Sequence, residues 1–362
     1  MGQESRANIT ILDIAKAAGT SPATVSRVLN GSRHNVNPDV QRRIREVVDE
    51  LGYTPNPLGR MLKKSDIREL AVILPSLQNP FYIEVLSGIE CAARDQGYDV
   101  LIYNSHHSLK SETAHLRSVL GKRIRGLLIA HAGEAPCPID AFLEGGGMAV
   151  ALDQEPVEQE NCINIDVDCF GATRAATEHL FSLGHRYIAY ASLPLTRHPR
   201  HQQLRGFMAA CRAHGVEVAP ELLLVAEEQG LQRGDFYEYG CGRQLGRRFL
   251  DLSPRPTALV ANNDVVALGC FAAFREAGVA VPGDVSIVGL DGILFSGMVS
   301  PELTTMAVPS FEIGRQACER LLARMACGVP FPPERLTFAA SLRPGASAAA
   351  PSARADGAPA PS

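Results

Sequence analysis

The chain has 362 residues and a formal net charge of −4. A single hydrophobic core stops growing near about 250–300 residues, so this length predicts at least two folded units. Hydrophobic residues make up 46% and charged residues 20%, which is typical of a globular protein. No apolar run approaches the ~20 residues that span a bilayer, so the pattern excludes an inserted membrane protein.

The charges and cysteines indicate a partner and a compartment. Residues 1–65 hold ten Lys and Arg against six Asp and Glu, or +4, which leaves 25 against 33, or −8, for the remainder. A basic segment attached to an acidic body suggests a polyanion partner for that segment alone. The nine cysteines are scattered and form no Cys-x-x-Cys pair, and Asp13 and Lys16 interrupt the first apolar stretch as no signal peptide would tolerate. We expect a cytoplasmic protein with reduced cysteines.

The first 65 residues carry the start and stop signals of short helices. One helix can begin after Thr10, with Asp13 in the capping-box position, and end before Gly19. A second can begin after Ser21, with Pro22 in its first turn, where a missing N–H costs nothing. Two helices joined by so tight a turn predict a helix-turn-helix, whose second helix enters the major groove of DNA. A third amphipathic helix and a short fourth one follow, the latter opened by Asn56.

The outward residues of the second helix suit DNA. Arg27 can donate two hydrogen bonds to guanine, Asn30 can reach polar base edges or phosphate, and Ala23 can contact a thymine methyl. Thr24 and Ser26 are better suited to phosphate. A small three-helix bundle with a solvated basic face would show the same spacing, so the spacing alone leaves both interpretations open.

From residue 69 onward the pattern changes to alternating strands and helices. Apolar runs such as LAVILP, YDVLIYN, GLLIAH, YIAYAS and VSIVGL are separated by amphipathic segments. This alternation predicts parallel sheets covered by helices. The expected fold class is an all-α helix-turn-helix head followed by an α/β body of two doubly wound parallel-sheet subdomains. Ligands bind such sheets at the carboxyl ends of their strands, which predicts a pocket in the cleft between the subdomains.

Particular runs of sequence resemble a known family. The run ITILDIAKAAGTSPATVSRVLNG, followed by LGYTPNPLGRMLK, closely resembles the head of the lactose-repressor (LacI/GalR) family of bacterial transcription regulators. NPFYIEV, LGHRYIAY, PTALVANNDVVALG, VPGDVSIVGLDG and PELTTM resemble the body of that family, so the resemblance spans about residues 9–342. It implies a homodimeric repressor that binds double-stranded operator DNA. It also implies a periplasmic-binding-protein-like body whose small-molecule effector, a sugar, sugar acid or phosphosugar, controls that binding.

The resemblance also implies the domain divisions. We expect a head at 1–55, a hinge helix and linker at 56–68, a body at 69–342 and a disordered tail, rich in Ala and Pro, at 343–362. Within the body, one subdomain is expected at about 69–161 and 291–306, and the other at about 162–290 and 307–342.

In this family the hinge helix inserts a leucine into the minor groove, which corresponds to Leu62 here. The alternative is a linker leucine that packs on the body. Gly59 stands where the family commonly has Ala, and Gly costs about 1 kcal/mol in a helix interior. The residues assigned to DNA contact are Thr10, Ser21, Pro22, Ala23, Thr24, Ser26, Arg27, Asn30, Asn56 and Leu62.

The effector positions of the family map to strand ends of the body. They correspond to Phe81, Tyr82, His131, Asp153, the segment 194–205, Asp264 and Asp291. Aromatic rings there would stack on a ligand, and carboxylates would accept hydrogen bonds from its hydroxyls. The alternatives are a core role for Phe81, a turn role for Asp291 and a helix cap for Asp264.

The segment 194–205 departs from the family, because Gln203 stands where many members carry Arg. Cationic or titratable side chains surround it, namely Arg197, His198, Arg200, His201 and Arg205. Such a group without an acid nearby favours an anionic effector, for instance a sugar acid or a phosphorylated sugar. The alternative is a solvated loop and helix face.

Motifs of enzymes are absent from the sequence. It has no G-x-G-x-x-G after its first strand, no P-loop Lys, no G-x-S-x-G and no H-E-x-x-H. The paired histidines lack a Cys or acid at ligand spacing, so we expect no catalytic residue, cofactor or metal. The alternative function is a sugar-binding sensor whose degenerate head no longer binds DNA. Effector identity, operator sequence and the choice between inducer and corepressor stay open.

Overall fold

The computed structural model describes residues 9–29, 36–51, 68–133, 137–227 and 236–352. It divides into a head unit, Met1–Ile67, and a body unit, Arg68–Ser362. The predicted DNA contacts Asn30, Asn56 and Leu62, and the hinge-helix Gly59, lie outside the described residues. Within the described ranges, no helix combines the length and apolar character needed to cross a bilayer.

The head contains three helices: α1 (Ile11–Ala17), α2 (Pro22–Leu29) and α3 (Pro38–Leu51). One fully buried residue from each helix, Ile14, Val25 and Ile44, forms their common core. At the start of α1, the Thr10 N–H donates to the Asp13 carboxylate at 2.8 Å, which satisfies part of the predicted capping box. These boundaries agree with the helix starts that the sequence predicts.

The body alternates strands and helices in the predicted manner. In chain order its elements are β1 (Glu69–Leu74), α4 (Pro80–Asp95), β2 (Asp99–Asn104), α5 (Leu109–Gly121), β3 (Gly126–Ile129), α6 (Asp140–Glu144), β4 (Met148–Leu152), β5 (Cys162–Val167), α7 (Cys169–Ser182), β6 (Ile188–Ser192), α8 (His198–Ala213), β7 (Leu223–Val225), α9 (Tyr237–Leu250), β8 (Ala258–Ala261), α10 (Asp264–Glu276), β9 (Ser286–Asp291), β10 (Thr304–Ala307), α11 (Ser310–Cys327), β11 (Glu334–Phe338) and β12 (Ser341–Arg343).

These strands form two six-stranded sheets, one in each subdomain. The first has the order β11-β5-β4-β3-β1-β2 and the second β12-β10-β9-β8-β6-β7. All pairs are parallel except β10 with β12, which are antiparallel. The expected α/β body of two doubly wound parallel-sheet subdomains is therefore confirmed.

The chain crosses between the subdomains at different points from those expected. Residues 162–167 pair with β4 in the first sheet, although they were assigned to the second subdomain. Residues 304–307 pair with β9 in the second sheet, although the sequence predicts 304–306 in the first. Residues 310–338 then return to the first subdomain as α11 and β11. Apolar patterning identifies a strand but not the sheet that it joins, so these divisions needed the structure.

Residues 343–352 are packed against the second subdomain, which corrects the prediction of a disordered tail from residue 343. Ser347 is fully buried; its hydroxyl donates to the Ile287 carbonyl at 2.6 Å and accepts from the Thr304 N–H at 2.8 Å. Further along, the Ala349 carbonyl hydrogen-bonds the His185 ring at 2.8 Å. Composition indicated disorder because small residues carry little apolar area, but here they continue the backbone pairing of a sheet. Residues 353–362 lie outside the described part of the chain.

Candidate functional site

The helix α2 presents the polar face that was predicted to contact DNA. Val25 is buried, whereas Pro22, Ala23 and Arg27 are exposed. The partly buried Thr24 donates its N–H to the Ser21 hydroxyl at 3.1 Å. Because Ser21 acts as the helix cap, its hydroxyl serves the fold of α2 before it serves any contact with DNA.

Thr10 and Ser26 complete the described DNA-contact set. Thr10 is exposed, and its hydroxyl donates to the Asp13 carboxylate at 2.6 Å. Ser26 is partly buried on α2. Thr10 therefore resembles Ser21: each lies at the start of a helix, and its hydroxyl forms a hydrogen bond with the residue three positions later in the chain.

A cleft lies between the two sheets, at the carboxyl ends of their strands, where open α/β sheets bind ligands. Its empty volume is about 610 Å³, part of it open to solvent. Seven of the predicted effector residues line it: Phe81, Tyr82, Asp153, Arg197, Arg200, Gln203 and Asp291. The fold therefore brings most of the predicted effector residues together around one cavity.

Three predicted effector residues do not line this cleft. Arg205 is exposed on α8, because it lies two residues beyond Gln203 and so falls on another face of the helix. Asp264 is fully buried and accepts hydrogen bonds from the Ser296 hydroxyl, the Thr305 hydroxyl and the Ile293 N–H at 2.6, 2.6 and 3.0 Å. The His131 side chain is buried behind the cleft, against Glu112.

Arg197 bridges the cleft from one subdomain to the other. It precedes α8 in the second subdomain and is only 5% exposed. Its guanidinium donates to the Tyr82 hydroxyl at 2.6 Å, the His131 carbonyl at 3.0 Å and the Asp153 carbonyl at 3.2 Å. All three acceptors belong to the first subdomain, so Arg197 is engaged by the protein itself.

A second bridge is centred on Glu238, at the start of α9. The Asn79 amide of the first subdomain and the Asn263 amide of the second both donate to Glu238 Oε2 at 2.8 Å. Burial raises the pKa of Glu238, and the positive charge of Arg200 opposes that rise. The ring of His107 lies 3.8 Å from Glu238, but burial lowers the pKa of His107 to about 3, so this contact joins a neutral imidazole.

This second bridge could not be predicted from the sequence. Asn79 is the N-cap of α4, and its side chain accepts the Phe81 N–H at 2.9 Å. The run NPFYIEV contained Asn79, but a cap accounts for an Asn at that position without a ligand role. Glu238 opens a helix far along the chain, and nothing in the sequence connects it to Asn79.

Two acceptors in the cleft receive no hydrogen bond from the described residues. Gln203 donates its amide N–H to the Asn262 carbonyl at 2.9 Å, but its buried Oε1 has no hydrogen-bond partner among the described residues. The half-buried Asp291 receives no hydrogen bond on its carboxylate from any residue in the described ranges. Burial, together with the nearby Asp264 and Glu238, raises the pKa of Asp291 well above its usual range. Its backbone has a φ of 110°, a strained conformation of the kind concentrated at binding sites.

The cleft contains acidic as well as cationic side chains. The prediction of an anionic effector assumed that no acid lies near the cations, and this assumption is wrong. Arg197 and Arg200 line it together with Asp153, Glu238 and Asp291. The Arg197 guanidinium is 3.7 Å from the Asp153 carboxylate, and Arg200 donates to the Pro194 carbonyl at 2.7 Å. The sequence showed cations without a neighbouring acid because these acids come from distant strand ends.

Comparisons with known proteins agree with this geometry. Residues 10–56 match the family described as bacterial regulatory proteins, lacI family, and residues 177–348 match the periplasmic binding protein-like domain. The chain is 33% identical over 323 residues to the HTH-type transcriptional repressor CytR of Escherichia coli (strain K12), covering 87% of this chain and 89% of CytR.

Solved structures give the same result. One is the lac repressor dimer bound to operator and the anti-inducer ONPF, with a TM-score of 0.76, 25% identity and coverage of 94% of this chain and 99% of the other. Another is the complex of the transcriptional regulator CelR with cellobiose, with a TM-score of 0.68, 26% identity and coverage of 94% and 99%. The chain therefore belongs to the LacI family of bacterial regulatory proteins, as a DNA-binding regulator with an effector-binding domain.

Proposed function

We propose that the protein is a repressor, without enzymatic activity, whose operator binding is controlled by a neutral polyhydroxylated molecule in the cleft. The observation that supports this choice of ligand is the Asp291 carboxylate, which lines the cleft and receives no hydrogen bond from the part of the chain that the structure describes. The Oε1 of Gln203 is a second free acceptor in the same cavity. Hydroxyl groups are the donors that such acceptors need.

The charges of the cleft favour a neutral ligand over an anion. Arg197 directs its three donor contacts to the protein, so an anion would have to displace them. It would also approach Asp153, Glu238 and Asp291. A sugar avoids both penalties, and the apolar faces of sugar rings suit the aromatic pair Phe81 and Tyr82, whose ring centroids are 5.1 Å apart. The cellobiose complex of the relative CelR supports this ligand class.

The two bridges could couple ligand binding in the cleft to operator binding. Arg197 and Glu238 hold the two subdomains together by polar contacts that line the ligand cavity. A ligand that replaces or completes these contacts shifts the equilibrium between closed and open subdomains by its difference in affinity for the two states. In a homodimer, that shift alters how well two α2 helices fit a symmetric operator.

Calorimetry with matched ligands tests the ligand class. We expect a neutral sugar from a panel that includes glucose, ribose and cellobiose to bind more tightly than gluconate. Asp291→Asn should then weaken binding, by up to about 10-fold where the raised pKa keeps the carboxyl neutral and by about 10–150-fold at a pH where it is charged. A neutral hydrogen bond contributes about 0.5–1.5 kcal/mol and one to a charged group about 1.5–3 kcal/mol. Asp95→Asn, which changes an exposed carboxyl at the end of α4, is the matched control. Tighter binding of gluconate, or no effect of Asp291→Asn, would contradict the proposal.

Selection from a library of random DNA duplexes tests the function of the head. We expect a two-fold symmetric sequence bound by one dimer, with an affinity that falls steeply as salt is raised. Recovery of no sequence would instead favour the sensor with a degenerate head. A bound asymmetric half-site with monomeric protein would contradict the dimer.

A further inference from the structure

Three side chains of different chemistry converge behind the cleft. Glu112 lies on α5, His131 follows β3 and Cys137 precedes α6, and one ligand atom from each lies within 4.8 Å of the other two. Their exposed fractions are 1%, 4% and 3%. A buried carboxylate such as that of Glu112 must be compensated by hydrogen bonds, by an opposite charge or by a metal ion.

Two of these side chains hydrogen-bond the same oxygen of the third. His131 Nδ1 and the Cys137 thiol both hydrogen-bond Glu112 Oε1, the latter with Sγ 4.0 Å from the oxygen. The other carboxylate oxygen of Glu112 accepts the Ala132 N–H at 2.9 Å. One oxygen therefore faces a nitrogen and a sulfur, each of which carries a proton that a cation could replace.

A neighbouring amide supplies an independent observation. Gln154 Oε1 accepts the His131 N–H at 2.8 Å, which fixes the amide beside the group. Its Nε2 is buried and has no hydrogen-bond partner among the described residues. A Cys137 thiolate would accept from this orphaned donor more strongly than a thiol can.

We propose that Glu112, His131 and Cys137 form a binding site for a thiophilic divalent cation of the zinc class. Nitrogen, sulfur and carboxylate oxygen are the ligands that Zn²⁺ takes, and three protein ligands leave a fourth position for water. Binding forms bonds to Oε1, Nδ1 and Sγ. The Cys137 S–H bond breaks and its proton leaves to solvent, while the imidazole proton moves from Nδ1 to Nε2, so one proton is released per ion.

The site would act on the cleft through His131. The carbonyl of His131 accepts the Nε–H of Arg197 at 3.0 Å, so a metal held by the His131 ring fixes one end of the Arg197 bridge. Gly133 leaves room for that ring, because a Cβ at position 133 would collide with His131 Nε2. This site could not be predicted from the sequence, because its ligands are 19 and six residues apart and only the fold brings them together.

Metal uptake by the full chain tests the proposal. The protein is stripped with EDTA and titrated with CoCl2 or ZnCl2. We expect one Co²⁺ per chain, with a thiolate-to-cobalt charge-transfer band and the visible bands of tetrahedral cobalt. Zn²⁺ should displace Co²⁺, and calorimetry of Zn²⁺ binding in two buffers of different protonation enthalpy should give release of about one proton per ion.

Variants separate this site from adventitious thiols and imidazoles. Cys137→Ser and His131→Gln should abolish the charge-transfer band and the stoichiometric uptake. Cys327→Ser, which removes the exposed cysteine, and His106→Gln, which removes an exposed histidine, should leave both unchanged. Circular dichroism identifies a variant that fails to fold, and the wild-type cobalt spectrum decides the question in that case. A wild-type protein that takes up no cobalt, or shows no thiolate band, overturns the proposal.

Discussion

The Arg197 guanidinium donates a hydrogen bond of 2.6 Å to the Tyr82 hydroxyl, and the two residues belong to different subdomains. Both side chains are buried, at 5% and 4% exposure. Burial raises the pKa of Tyr82 well above its usual range, so the phenol stays neutral and can accept from the guanidinium. The cleft is thus bridged by a hydrogen bond between two buried residues, both of which the sequence analysis predicts to bind the effector.

Removing the hydroxyl of Tyr82 should loosen this bridge. We expect Tyr82→Phe to lower the free energy of unfolding of the ligand-free body by about 1.5–3 kcal/mol, because a hydrogen bond to a charged group is lost inside the protein. Chemical denaturation measures it. Tyr187→Phe is the control, since the Tyr187 hydroxyl makes no hydrogen bond within the described residues. Equal effects of the two substitutions would show that the bridge carries no stability.

Base recognition should depend on Arg27 of α2. With an operator recovered by selection, Arg27→Ala should weaken specific binding by about 1–3 kcal/mol and relax the preference at one position in each half-site. Fluorescence anisotropy against single-base variants of the operator measures both effects. Arg94→Ala, which removes an exposed ion pair with Glu90 in the body, should change neither. A loss that is equal for all sequences would identify Arg27 as a phosphate contact instead.

The close packing of α4 against α11 should depend on glycine. A Cβ at Gly88 would collide with the Phe311 carbonyl, whereas a Cβ at Gly121, near the end of α5, meets no atom within 4 Å. We therefore expect Gly88→Ala to destabilise the body by about 1–3 kcal/mol through overpacking. Gly121→Ala should stabilise it by about 0.5–1 kcal/mol, the helix preference for Ala. Denaturant midpoints compare the pair, and opposite signs are the expected result.

Local sequence signals predicted much of the fold and part of the cleft. Helix caps such as Ser21 and the apolar strand runs depend on neighbours in sequence, and the structure has the elements where they indicate. Glu238 could not be predicted as a cleft residue, because its role there depends on a hydrogen bond from Asn79 of the other subdomain. The same holds for Asp264, which looked like a ligand residue but compensates its buried charge with donors more than 25 residues away.

The buried Asp264 should give the body a particular pH dependence. Burial raises the pKa of Asp264 to about 6 from the model-peptide value of 3.8, so the folded state binds the proton more tightly than the unfolded state. The contribution of this group is therefore full below about pH 4 and is lost as the pH rises to about 6. Over that window it should amount to about 3 kcal/mol, from about two pKa units.

Denaturation at several pH values measures this dependence. Asp264→Asn removes one titrating group, so the free energy of unfolding should fall less between about pH 4 and pH 6 in the variant than in the wild type, while Asp291 and Glu238 keep their own contributions. The variant should also be less stable overall, because an amide cannot accept all the hydrogen bonds of the carboxylate. Asp251→Asn, at an exposed carboxyl just after α9, should retain the wild-type slope. A wild-type slope in Asp264→Asn would mean that the fall arises elsewhere.

Two C-terminal deletions should differ in their effect on stability, although both remove sequence rich in Ala and Pro. Deletion of residues 345–362 removes Ser347 and leaves the buried Thr304 N–H and both backbone groups of Ile287 without their partners. Each unsatisfied buried group costs about 1–3 kcal/mol, so this deletion should destabilise the body by several kcal/mol. Ser347→Ala, which keeps the backbone pairing, should reproduce part of that loss. Deletion of residues 353–362 should have no measurable effect on denaturation. Light scattering should give a dimer for the wild type and for the shorter deletion, because one α2 helix from each of two chains fits a two-fold symmetric operator. A 345–362 deletion as stable as the wild type would show that the contacts of Ser347 contribute nothing to folding.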